Sequence, residues 1–122
     1  MSLLDTSNYD NLIAGQDPDP TTRNITVKSG ENLVRGQVAA IETSTGKVVA
    51  YDSSESSDGH NAARFIVFED VDATSGDAKG TVYTTGRFNE SALVFTTTGE
   101  LDDTVREALR DYGIIVSPSI QN

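Results

Sequence analysis

Short apolar runs broken by polar turns organise most of this chain, and one stretch near its C-terminal end carries the spacing of a helix. Ile25-Thr26-Val27 reads as a short strand, followed by a turn at Ser29-Gly30-Glu31-Asn32. Leu33 to Thr43 reads as extended, with Gly36 marking a bulge or a close backbone approach. Ser44-Thr45-Gly46 makes a tight turn, and Lys47-Val48-Val49-Ala50-Tyr51 returns as the partner strand. Residues 52–61 are a polar loop. The run Phe65-Ile66-Val67-Phe68, within Ala63 to Glu69, is short enough for a buried strand. An acidic loop follows, then a strand from Lys79 to Gly86 rich in Thr, Val and Tyr.

Residues 88–95 leave two readings open. Asn89 suits the cap of a short helical turn through Ser91, Ala92 and Leu93, whereas Leu93-Val94-Phe95-Thr96 prefers a strand. The helix is predicted over 101–112, because Leu101, Val105, Ala108, Leu109 and Tyr112 share one face. Thr97 and Glu100 have capping-box spacing, Asp102 and Asp103 suit the N-terminal dipole, and Gly113 suits the stop. Ile114-Ile115-Val116 is the last strand, ended by Pro118. The predicted class is α+β, mostly β: a compact small β-rich domain over 23–122 with one C-terminal helix. Ahead of it lies a flexible N-terminal arm over 1–22.

That arm has four aspartates and no basic residue, and it ends in Asp17-Pro18-Asp19-Pro20, where the prolines favour extended backbone. Its large apolar groups are Leu3, Leu4, Tyr9, Leu12 and Ile13. They either fold back on the domain or dock on another chain. On the docking reading, a chain without residues 1–22 is expected to fold.

Composition narrows the function. The 122 residues are 36% hydrophobic, with nineteen acidic and nine basic groups for a net charge of −10. Such a chain repels phosphate backbones and anionic bilayers, so neither nucleic acid nor membrane is an expected partner. The absence of cysteine excludes disulfides and thiolate metal ligation. The first residues lack the pattern of a secretory signal, and no segment nears the roughly 20 apolar residues of a membrane span.

Catalytic chemistry finds no foothold. The single histidine, His60, lies in a Gly/Asn/Ser loop, and without Cys or a second His it builds no usual nucleophile–base pair or zinc site. Asp70 to Asp77 resembles a calcium loop superficially, but its glycine falls one place late and no glutamate closes position twelve. With so many carboxylates, some close pair is inevitable and carries little weight. No enzyme activity, cofactor or metal is expected.

The order of segments is more informative than any one of them. Asp10-Asn11-Leu12-Ile13-Ala14-Gly15 precedes Asn32-Leu33-Val34-Arg35-Gly36-Gln37-Val38 and Gly46-Lys47-Val48-Val49-Ala50-Tyr51-Asp52. Then come Asp58-Gly59-His60-Asn61-Ala62-Ala63-Arg64-Phe65-Ile66, Val71 to Asp77, and Gly86-Arg87-Phe88-Asn89-Glu90-Ser91-Ala92-Leu93. Ala108-Leu109-Arg110-Asp111-Tyr112-Gly113-Ile114-Ile115-Val116 closes the series. In this order the chain resembles the lambda-type bacteriophage head decoration (capsid cement) proteins over nearly its whole length.

The resemblance implies a non-enzymatic viral structural protein: a homotrimer on threefold sites of the expanded icosahedral head. There it would bind the major capsid protein and stabilise the shell. It further implies assembly in the host cytoplasm and a final place on the virion exterior. The arm, through Leu3, Leu4, Tyr9, Leu12 and Ile13, would become ordered against the capsid. Ordering ten such residues costs on the order of 10–20 kcal/mol of backbone entropy, which three arms on one trimer help to offset. The alternative is a generic β-rich module binding protein or carbohydrate, whose mark would be an exposed aromatic groove. A small trimeric β hydrolase is a third class, for which the chain supplies no catalytic motif.

Overall fold

The computed structural model describes residues 12–15, 18–55, 57–95 and 103–117. Strands dominate, and among the described residues there is one α-helix, near the C-terminal end. This is the expected mostly-β α+β class. The strands are β1 (Ile13–Gly15), β2 (Thr21–Val27), β3 (Asn32–Leu33), β4 (Val38–Ile41), β5 (Val48–Ala50), β6 (Phe65–Val67), β7 (Val71–Asp72), β8 (Ala78–Asn89) and β9 (Ile114–Ser117). The helix, α1, is Asp103–Arg110, and a 3-10 turn spans Glu90–Ala92.

β8 is the spine of the fold. Its first two thirds run antiparallel to β2 from Val27↔Ala78 to Thr21↔Thr85. Its middle pairs with β6 at Ile66↔Tyr83 and Val67↔Val82. Since β6 joins β4, β4 joins β5, and β5 meets β2 at Val27↔Val48, the ladder closes on itself as a small barrel. Beyond the barrel, the last four residues of β8 carry β9 in parallel on one side and β1 antiparallel on the other.

The period of two in these strands sorts their side chains between two cores. Ala39, Phe65, Val67 and Val82 join Val27, Leu33, Val48 and Val71 in the barrel core. Their neighbours Val38, Ile66 and Tyr83 point the other way, into a second core with Phe88, Ile114 and the buried helix residues Val105 and Leu109. The helix therefore covers the outer face of the sheet, and a substitution at adjacent positions such as Val82 and Tyr83 is felt in different cores.

Several expectations need correction. The extended stretch from Leu33 to Thr43 breaks at Arg35-Gly36, where Gly36 has φ +89°. A Cβ there would lie 2.8 Å from the Ala92 carbonyl oxygen, so the glycine marks a close approach and not a bulge. The crossing segment is the ambiguous one: it forms the Glu90–Ala92 turn and then bridges Val94 to Gln37 in parallel. Asn89 occupies the cap position but makes no side-chain cap bond. The acidic loop contains β7, paired with β3. Tyr112 was expected on the buried helix face and is exposed, because α1 ends at Arg110 and the turn into Gly113 (φ +90°) swings it away. Leu101, Asp102, Pro118 and the Thr97/Glu100 pair lie outside the described residues.

Candidate functional site

The N-terminal segment enters the body through a seat built by β8, α1 and β9. Leu12 is buried among Phe88, Val105, Leu109 and Ile114, and its carbonyl accepts the Asn89 amide at 3.0 Å. Ile13 pairs with Phe88 and Gly15 with Arg87, with a register irregularity between them. Gly86 (φ +146°) opens this end of β8, since a Cβ there would come within 2.9 Å of the Phe88 ring. Of the five apolar residues expected to reach a partner, Leu12 is thus in the core and the half-buried Ile13 is on β1. Leu3, Leu4 and Tyr9 lie outside the described residues. The boundary drawn at residue 22 falls inside β2, which begins at Thr21. Leu12 and Ile13 were hard to separate from their neighbours in sequence because the prolines at 18 and 20 made the whole segment look detached.

A second constellation lies at the end of β4. The Glu42 carboxylate is buried and takes three donors: Lys28 Nζ at 2.7 Å, Thr45 Oγ1 at 2.8 Å and His60 Nε2 at 3.0 Å. The Lys28 ammonium, then the Thr45 and His60 bonds, hold its pKa at about 2, and Glu42 in turn raises that of Lys28. Asp58 adds its carboxylate, bonded to the amide and hydroxyl of Ser44 at 2.8 and 2.6 Å. His60, expected in a loop without catalytic partners, is half-buried and ties the 52–61 loop to β4. Glu42, Asp58 and His60 offer donor atoms within 4.8 Å of one another, a spacing a metal ion could use. Yet the cation at Glu42 is already Lys28, and both Asp58 oxygens accept bonds from Ser44. The arrangement serves as a clasp on the loop.

Comparison with known families decides between the remaining readings. The family model for bacteriophage lambda head decoration protein D matches residues 5–114. The chain belongs to that family. No curated protein matches it.

Membership gives this head decoration protein a structural role on the phage capsid and places it in the virion. The match takes in the seat residues Leu12 and Ile13 and also Tyr9, while Leu3 and Leu4 precede it. The acidic loop fits a structural part. Asp70 accepts the Arg35 amide at 2.9 Å, Asp72 the amide and hydroxyl of Thr74, and Asp77 the Lys47 ammonium and the Ser29 amide. The Thr74 hydroxyl holds Asp72 below the usual carboxylate range, and Lys47 does the same for Asp77. The Arg35 guanidinium packs between the Phe68 and Tyr83 rings, 5.6 and 5.8 Å from their centres. Among the described aromatic residues Tyr112 alone is exposed, at 48%, and Arg64 stacks on it at 4.8 Å. No aromatic groove of the kind a glycan-binding module needs is formed by the described residues.

Proposed function

We propose that this decoration protein acts as a non-enzymatic homotrimer on the threefold sites of the expanded head. It contacts the major capsid protein from the exterior and stabilises the shell. The observation that carries the reading is the family match over residues 5–114. The buried seat of Leu12 supports the reading, because it fixes the point on the body to which residues 1–11 are tethered. Leu3, Leu4 and Tyr9 are the proposed capsid contacts, and Leu12 and Ile13 are their anchor. Contacts of that apolar kind bind by surface removed from water and are little screened by salt.

The test is deletion. Removing residues 1–22 would take out Leu12, β1 and the start of β2, so loss of binding would report on folding as much as on contact. Removing residues 1–11 leaves the seat filled. That variant is expected to keep its oligomeric mass and melting temperature but to lose binding to expanded heads. Full retention of binding would remove the contact role from Leu3, Leu4 and Tyr9.

A further inference from the structure

One side of β2 meets β5 only at its C-terminal end and has no strand against residues 21–25 among the described residues. The strand pairs with β8 along its length but meets β5 at a single position, Val27↔Val48. The Lys28 amide donates to the Val48 carbonyl at 3.0 Å, which defines the outward side. Backbone groups alternate along a strand, so those of Thr22, Asn24 and Thr26 face the same way as Lys28, while those of Arg23, Ile25 and Val27 face β8. Thr21 to Asn24 are all exposed, the longest such run in any described strand. A free edge of this kind offers its backbone to an extended segment of another chain.

The charge around the edge selects that segment. Arg23, Lys28, Lys79 and Arg87 are four of the nine basic residues, and the stretches 21–28 and 78–87 contain none of the nineteen acids. Lys28 is committed to Glu42, and Arg87 Nη1 donates to Ser117 Oγ at 2.8 Å. Arg23 makes no ion pair among the described residues, and Lys79 Nζ meets the neutral Thr26 hydroxyl at 3.2 Å. Arg23 lies opposite Val82 and Lys79 opposite Thr26, so the two cations flank the ribbon on opposite faces.

We propose that the outer edge of β2 binds an extended, acidic segment of another protein as an added strand. Its backbone would pair with Thr22 and Asn24, ahead of the β5 contact at Val27, and its carboxylates would meet Arg23 and Lys79. A second copy of β2 fits less well, because it would bring the same cations against themselves. The inference goes beyond the decoration reading and does not depend on it.

Two labelled hexapeptides test it with the full-length protein, Val-Asp-Asp-Val-Asp-Asp and Val-Lys-Lys-Val-Lys-Lys, whose charges fall on both faces of an added strand. The acidic peptide is expected to bind at least about tenfold more tightly and to slow hydrogen exchange at the amides of Thr22 and Asn24. Asn24→Pro removes an outward amide and leaves the amides facing β8, so it should weaken binding by about tenfold or more. Should that variant melt early, the pair Arg23→Glu with Lys79→Glu keeps the backbone intact and is expected to reverse the peptide preference. Equal binding of both peptides, or binding indifferent to the charge-reversed pair, would overturn the proposal. So would protection of those two amides in the free protein that is lost on dilution or on deletion of residues 1–11, because the edge would then be filled by a second copy or by the chain's own start. No capsid enters the assay, so failure of the decoration reading leaves this result standing.

Discussion

Leu12 and Glu42 show how far single residues settle the behaviour of this protein. Leu12 fills a core position between the end of β8 and the helix, and truncating it leaves a cavity that the surrounding strands only partly close. Leu12→Ala should therefore cost about 2–5 kcal/mol, read as a lower melting temperature in thermal or urea unfolding. Ile13→Ala, at a half-buried position on β1, should cost less. Glu42 makes a prediction about pH. Its folded pKa of about 2 lies below its ordinary value, so its stabilisation is fully present above that ordinary value and is lost as pH falls towards 2. Lys28 is raised, so its share is present below its ordinary value and fades as pH rises through the raised one. Glu42→Gln should flatten the stability profile between about pH 4.5 and pH 2 relative to the parent. An unchanged slope there would mean that the clasp does not contribute.

At the scale of elements, the parts legible in the sequence are those fixed by neighbours in sequence. The β4–β5 hairpin around Ser44-Thr45-Gly46 appears where it was expected, as does the run Phe65–Val67. What could not be read depends on distant partners. Thr21 and Thr22 look like loop residues until β8 supplies Thr84 and Thr85, whose hydroxyls lie 2.8 and 2.6 Å from that of Thr21. His60 acquires its role from Glu42, eighteen residues earlier, once the Thr43 amide bonds the Asp58 carbonyl and folds the loop back. Tyr112 kept the helical spacing in sequence but falls past the last helical residue, where geometry overrides periodicity. The crossing at Gly36 gives the sharpest elemental test. Gly36→Ala would force a left-handed backbone and a contact with the Ala92 carbonyl at once. It should cost about 1–3 kcal/mol or more, well beyond an ordinary Gly→Ala change. Tyr112→Ala, by contrast, should shift stability by less than about 1 kcal/mol, since it removes a surface stack.

Across the whole molecule, the net charge of −10 and the local basic ribbon of β2 and β8 pull in different directions. The chain repels other polyanions at long range, yet it carries one edge where an acidic strand is welcome. Salt separates the two proposed modes of contact. Attachment to the head through Leu3, Leu4 and Tyr9 should persist in high salt, while capture of an acidic peptide by Arg23 and Lys79 should weaken steeply. The barrel closed by β8 and the helix-covered outer core together make a body that is expected to keep its fold without residues 1–11. The most direct measurement is co-sedimentation of the full chain and of the variant lacking residues 1–11 with expanded phage heads, alongside solution mass by light scattering. The account predicts a trimeric mass for both and head binding for the full chain alone. A monomer that stays in the supernatant, or equal binding by both forms, would contradict it.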